Sequence, residues 1–339
     1  MRSSLVVALA ATVSLVSLVG FSPAASAEPV VAKCGSVAPE GTPWAEWLDG
    51  VKARMEKESA GTLKLRVFLS GKLGGEKEMV EDTKKGALQM FGGSVGALAA
   101  SHVPELNVFE LPFLFTSDAE ADFVLNKVRA DVTQLLDARG FTMVMWAENG
   151  WHGYGVKGAC VQKIEDMKGK KMRAQESYIH LETYRAFGAS PVEMPVPEVM
   201  TALQNNVVDG FSNTPLFSFA TSWHSGIDSF TYSKHIYQPA LIVLSKKWLD
   251  TLTPELKAIL TKPTEEKQGF QLVRALTEPL LENFTSAGKK VCRLTPAETQ
   301  RFSDASRKVW DVFGKKSASN KKLLTAVLAA KAEFAKSGK

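Results

Sequence analysis

The sequence is poor in the residues that hold metals, staple small folds or grip polyanions. Its three cysteines, Cys34, Cys160 and Cys292, lack the spacing of a zinc site. The five histidines (102, 152, 180, 224 and 235) show neither HExxH nor a paired spacing, so no catalytic metal is expected. No phosphate loop and no GxGxxG fingerprint occurs, and no cofactor is expected. The formal charge of +5 over 339 residues is mild, and no Lys/Arg cluster alternates with aromatics, which argues against a nucleic-acid partner. The short group Lys168, Lys170 and Lys171 reads as a solvated turn. No segment after the first 27 residues is apolar for long enough to span a bilayer.

The opening is different. Arg2, an apolar run from Leu5 to Val19 and the exit Ala25-Ser26-Ala27 have the order of a secretory signal peptide, with cleavage expected before Glu28. A transmembrane anchor fits less well, because a span needs about 20 apolar residues. Lys33 stands before Cys34 where lipid attachment needs a small residue. An exported, periplasmic protein is expected, in a compartment that permits one disulfide with one thiol left over. Sequence alone leaves the pairing open; Cys160–Cys292 is preferred because both lie near expected strands of one lobe.

Past the leader, strand and helix patterns alternate. Leu63, Leu65, Val67 and Leu69 repeat with period two, whereas Trp44, Trp47, Val51 and Met55 recur at helical spacing. Ser117-x-x-Glu120 is a capping box that opens a helix. Glycines 150, 153, 155 and 158 cluster where one lobe hands over to another. The expected fold class is α/β: a two-lobed binding-protein fold, each lobe a mostly parallel sheet flanked by helices, joined by a hinge and a long helix spanning both lobes. That long helix is expected between Pro254 and about Ser286, with Pro263 and Pro279 as possible kinks. Lobe I is expected to take residues 28–150 and about 239–280, lobe II 151–238 and about 281–315, and a C-terminal helix 316–339.

One motif suggests catalysis. Gly92-Gly93-Ser94-Val95-Gly96 matches the GxSxG nucleophile elbow, and Asp209 or Asp228 followed by His235 keeps the order of a hydrolase triad. No HGGG-like oxyanion segment precedes it, and glycine-rich turns are common in α/β proteins. The preferred reading is a backbone-lined turn at a helix start.

A set of motifs in order carries more weight. Leu73-Gly74 with Glu78 and Gly86 comes first, then Glu110-Leu111-Pro112-Phe113 and Asp166-Met167-Lys168-Gly169-Lys170-Lys171-Met172-Arg173. Gly188-Ala189-Ser190-Pro191-Val192-Glu193-Met194-Pro195 and Val207-Val208-Asp209-Gly210 with Asn213 follow. The chain resembles, over nearly all its mature length, the extracytoplasmic solute-binding subunits of tripartite ATP-independent periplasmic (TRAP) transporters. The resemblance implies a binding protein that is not an enzyme. Its partners would be a small organic acid and the membrane subunits of an ion-gradient-driven transporter. A monomer is expected, with the last basic helix, Lys321–Lys336, as a solvated face.

The resemblance also implies roles. Arg173 would hold the ligand carboxylate through its planar fork, Asn213 would supply an amide contact, and Val196 would lie against the ligand. The turn with Gly93 and Ser94 would face Arg173. Members that hold polar sugar acids carry charged residues in that turn and a second arginine after the Asn-Gly pair. Here those places hold Gly93, Gly96 and, after Asn149-Gly150, Trp151-His152. Trp151 and His152 are expected to shape the pocket, with Phe217 and Tyr237 completing the candidate set. Fewer charged groups imply a monocarboxylate with an apolar or aromatic body. The competing readings are a periplasmic serine hydrolase acting through Ser94 and a receptor that presents its ligand to a membrane sensor.

Overall fold

The computed structural model describes residues 28–262 and 266–338. The expected signal peptide and Pro263 lie outside the described residues. Among the described residues there are eleven strands: β1 (Val30–Gly35), β2 (Leu63–Phe68), β3 (Met90–Ser94), β4 (Phe141–Trp151), β5 (Gly153–Val156), β6 (Lys171–Ala174), β7 (Ser190–Glu193), β8 (Gly210–Asn213), β9 (Ser229–Tyr232), β10 (Tyr237–Ser245) and β11 (Lys290–Arg293).

They form two sheets, one in the order β2-β1-β3-β10-β4 and the other β11-β9-β5-β8-β6-β7. β1 runs parallel to β2 and β3, while β10 returns antiparallel between β3 and β4. Every residue of β10 is buried, as the unbroken apolar run Ala240–Leu244 requires of a central strand covered on both faces. In the second sheet β6 is parallel to β7 and β8, and β5 is the antiparallel member between β8 and β9. Only His152 separates β4 from β5, so the chain passes there from one sheet to the other. It passes back along Ser233–Ile236 into β10.

Two helical expectations change in detail. The stretch from Pro254 to Ser286 is three helices, Pro254–Thr261, Glu266–Ala275 and Thr277–Ser286. Lys262, the residue before Pro263, is extended at ψ 126°, as steric conflict with a following proline ring demands. Pro279 sits in the first turn of the third helix, where a missing N–H costs nothing and its ring blocks continuation from the preceding helix. A long helix does join the two halves, but it is Pro296–Lys316. Its Phe302 packs on Phe187 beside the second sheet, and its Trp310 Nε1 donates to the Pro112 carbonyl at 2.9 Å. The helix expected after Ser117 divides at Val128 into Asp118–Lys127 and Arg129–Ala138.

Cys160 and Cys292 are joined in a disulfide that closes 132 residues of sequence and ties the loop after β5 to the edge strand β11. Cys34 stays a buried thiol whose pKa burial pushes up to about 12.

Candidate functional site, a cleft between two sheets

The site collects where strands end. Ser36–Ala38 follow β1, Glu76 opens the helix Glu76–Lys85 after β2, Gly93 is the last residue but one of β3, Gln175 follows β6 and Asn213 closes β8. In open α/β folds the carboxyl ends of strands form the ligand crevice, because loops there leave the sheet and splay apart. Here the two sheets present such ends to each other. The cleft between them holds roughly 570 Å³ of space, counting its solvent-open mouth. A recess of about 300 Å³ adjoins it and contains Arg173, Gly96 and Ala97, with Glu76, Gln175 and Val196 common to both.

Arg173 is the unusual group. It lies on β6 opposite Val192 and Phe211 and is only 2% exposed. Nε donates to the Met194 carbonyl at 3.1 Å, while Nη1 meets no acceptor among the described residues. The guanidinium carbon stands 5.4 Å over the Trp223 ring. Burial pushes its pKa down to about 10, and Tyr184, Glu76 and Glu176 offset only part of that effect. A buried cation without a salt-bridge partner is costly, and it is relieved when an anion enters.

The surrounding polar groups are already oriented. Asn213 turns its Oδ1 to the Thr214 N–H at 2.7 Å and lines the cleft. Gln238 is held on all sides: its Nε2 donates to Glu110 and to Gln175 Oε1, and its Oε1 accepts from Asn149 Nδ2 at 2.9 Å. Glu110 is fully buried, pairs with His180 Nε2 at 2.9 Å and accepts from Gly96 N–H. A side chain on Gly96 would stand 2.5 Å from Glu110 Oε2, so the absence of one there is what admits this buried support. Trp44, Val37, Pro39, Leu216 and Phe217 supply the apolar walls.

Five of the nine candidate residues meet at this place: Arg173, Asn213, Val196, Gly93 and Phe217. Four do not reach it. Trp151 ends β4 opposite Tyr237, and the two rings pack edge to face at 5.1 Å. Trp151 Nε1 donates to Asp118 and Lys234 lies over its face, so the ring lines a hollow behind the cleft. Tyr237 is buried, and its hydroxyl accepts from Arg274 at 3.2 Å.

His152 stands one layer back, bonded to Ser212 Oγ at 2.8 Å and to Gln238 Oε1 at 3.3 Å. Burial, reinforced by His180, holds its pKa well below the ordinary value, so it stays neutral and presents no cation. The Ser94 hydroxyl donates to Glu76 and accepts the Ala97 N–H as the cap of helix Val95–Ser101. His235, the partner a hydrolase needs, is instead bonded to Ser212 and Ser233.

The sequence did not single out Glu76, Gln175, Gln238 or Trp44. Glu76 and Glu78 look alike in a charged helix start, yet Glu78 folds back on the Gly75 N–H while Glu76 turns into the cleft. Trp44 followed the same helical spacing as its core neighbours.

Three comparisons fit this arrangement. The model for bacterial extracellular solute-binding proteins, family 7, matches residues 34–317. The 2,3-diketo-L-gulonate-binding periplasmic protein YiaO of Escherichia coli is 29% identical, over 80% of this chain and 84% of its own. Two solved structures superpose with a TM-score of 0.83, each covering 89% of this chain and 99% of the other. One is the sugar acid binding protein DctPAm of Advenella mimigardefordensis with galactonate, 25% identical. The other is a TRAP periplasmic solute-binding protein of Ralstonia eutropha H16 with (S)-2-acetolactate, 26% identical. With the family match spanning both sheets and the cleft between them, this chain belongs to family 7 of the bacterial extracellular solute-binding proteins, the periplasmic capture subunits of TRAP transporters.

Proposed function

We propose that this protein captures a small monocarboxylate with an apolar or aromatic body and delivers it to TRAP membrane subunits. The observation that carries the reading is Arg173, a buried guanidinium in the recess beside the cleft whose Nη1 has no acceptor among the described residues. Such a fork grips one carboxylate bidentately. The apolar walls around Trp44, Leu216 and Phe217 suit a body with few polar groups. The relatives' ligands support the acid but not the apolar body: galactonate, 2,3-diketo-L-gulonate and acetolactate each carry one carboxylate, and other relatives are named for C4-dicarboxylates. On this reading Arg173, Asn213, Val196, Gly93 and Phe217 touch the ligand, and the two sheets belong to lobes that close on it by a hinge at His152 and Ser233–Ile236.

The mature chain begins at Glu28 and acts as a monomer. In support of the latter, the last helix, Ala318–Lys336, turns Leu323, Val327 and Ala330 inward against its own chain.

The test is a thermal-shift panel of mono- and dicarboxylates on refolded, ligand-free protein, with Arg173→Ala alongside. A ligand at one hundred times its Kd adds about 2.7 kcal/mol of stability. Stabilisation by apolar monocarboxylates that vanishes in Arg173→Ala is the expected result. Equal stabilisation of both proteins would remove Arg173 from the site.

A further inference from the structure

Glu76 faces the same recess as Arg173, and nothing in a simple carboxylate site requires a buried acid there. Its position is built by small residues. The helix Glu76–Lys85 starts directly after Gly74-Gly75, and the space Glu76 fills is the space a side chain at position 93 would take. A Cβ on Gly93 would lie 2.3 Å from Glu76 Oε1. Both carboxylate oxygens are oriented by one residue: Oε1 accepts from Ser94 N–H at 2.7 Å and Oε2 from Ser94 Oγ at 2.6 Å. Each oxygen keeps acceptor capacity toward the recess; burial raises the Glu76 pKa, against which the two Ser94 hydrogen bonds and the charge of Arg173 in the same recess favour the carboxylate. Lys77 is exposed at the rim, where it faces Glu176.

We infer that Glu76 determines specificity: it accepts a hydrogen bond from a hydroxyl carried close to the ligand's carboxylate, and it repels a second carboxylate. This rests on the monocarboxylate reading above. The recess sets a fixed acceptor beside a fixed cation, so the matching solute has an anionic end and a donor next to it, as a 2-hydroxy acid does. A hydrogen bond to a charged acceptor contributes about 1.5–3 kcal/mol, which is roughly ten- to a hundredfold in affinity. A dicarboxylate would have to place like charge against a buried carboxylate that Ser94 already holds in place, and such rejection is how a site excludes near neighbours.

The experiment is isothermal titration of ligand-free protein with 3-methylbutanoate, 2-hydroxy-3-methylbutanoate and 2-methylbutanedioate. Wild type, Glu76→Gln and Arg173→Ala are compared. In wild type the hydroxy acid binds at least about tenfold tighter than its parent and than the diacid. In Glu76→Gln that preference narrows and the diacid gains affinity. If parent and hydroxy acid bind wild type equally, and both need Arg173, the Glu76 inference falls while the monocarboxylate reading stands. If the acids bind wild type and Arg173→Ala alike, or not at all, both readings fall. The wild-type comparison stands alone should the Gln variant fail to fold.

Discussion

One arginine of this molecule is buried and another half-buried, and their surroundings are opposites. Arg274, on the helix Glu266–Ala275 behind the cleft, holds Glu148 through Nε, Asp122 through both terminal nitrogens and Tyr237 through Nη2. Burial works against its charge, but the hydrogen bonds to Asp122 and Glu148 outweigh that and hold its pKa above the ordinary value. Arg173 makes one bond, to a backbone carbonyl, and burial pulls its pKa down. Both are cations wholly or partly withdrawn from water. The one whose partners are inside the protein organises structure; the other, in the function proposed above, awaits its partner in the ligand.

Methionine substitutions break the comparison most directly. Arg274→Met strands Glu148 as a buried, unpaired acid and is expected to cost about 3 kcal/mol of unfolding free energy in urea. Arg173→Met removes an uncompensated charge and is expected to leave the ligand-free protein as stable as wild type or slightly more so. Equal losses would mean that Arg173 is structural.

The acid beside Arg274 gives a pH test. Burial pushes Glu148 up to about 7, since desolvation outweighs Arg274 at this carboxyl, while the guanidinium, shared among several acids, stays charged. A raised folded pKa means that the folded state holds a proton the unfolded chain releases between about pH 4.5 and 7. Stability therefore falls as pH rises through that window, by up to about 3 kcal/mol, and Glu148→Gln flattens the profile. A profile unchanged in Glu148→Gln would show that Glu148 titrates alike in folded and unfolded chains, and a wild-type slope of the opposite sign would show that the Arg274 pair, and not burial, controls this acid.

The smallest effect sharpens the ligand side. Phe217→Ala takes away part of the apolar wall and is expected to weaken an apolar-bodied acid roughly tenfold, about 1.4 kcal/mol. A short polar acid such as glycolate should barely notice. A uniform loss would return Phe217 to a purely structural role.

Much of this was legible before any coordinates. Period-two alternation placed β2, the glycine cluster marked the passage near His152, and the preferred disulfide formed between Cys160 and Cys292. Arg173 and Asn213 came from motifs in order, and both line the cleft or its recess. The residues that stand away from the cleft have a common cause. Trp151, His152 and Tyr237 lie where the chain passes between sheets, and in strands successive side chains point to opposite faces. Position along the chain told that they were near the cleft, but not which face they took.

The sequence by itself determined the alternation of elements, the export signal as an expectation, the family and the candidate arginine, because these are written in local periodicity and ordered motifs. Only the tertiary structure decided that Glu76 enters the recess while Glu78 caps its own helix. It alone separated Arg173 from Arg274, and it placed the long bridging helix at Pro296–Lys316. The physical reason is the same each time. Whether a charge or a helix face is satisfied depends on partners far along the chain, as Asp122 is 152 residues from Arg274, and such partners leave no local mark on the chain.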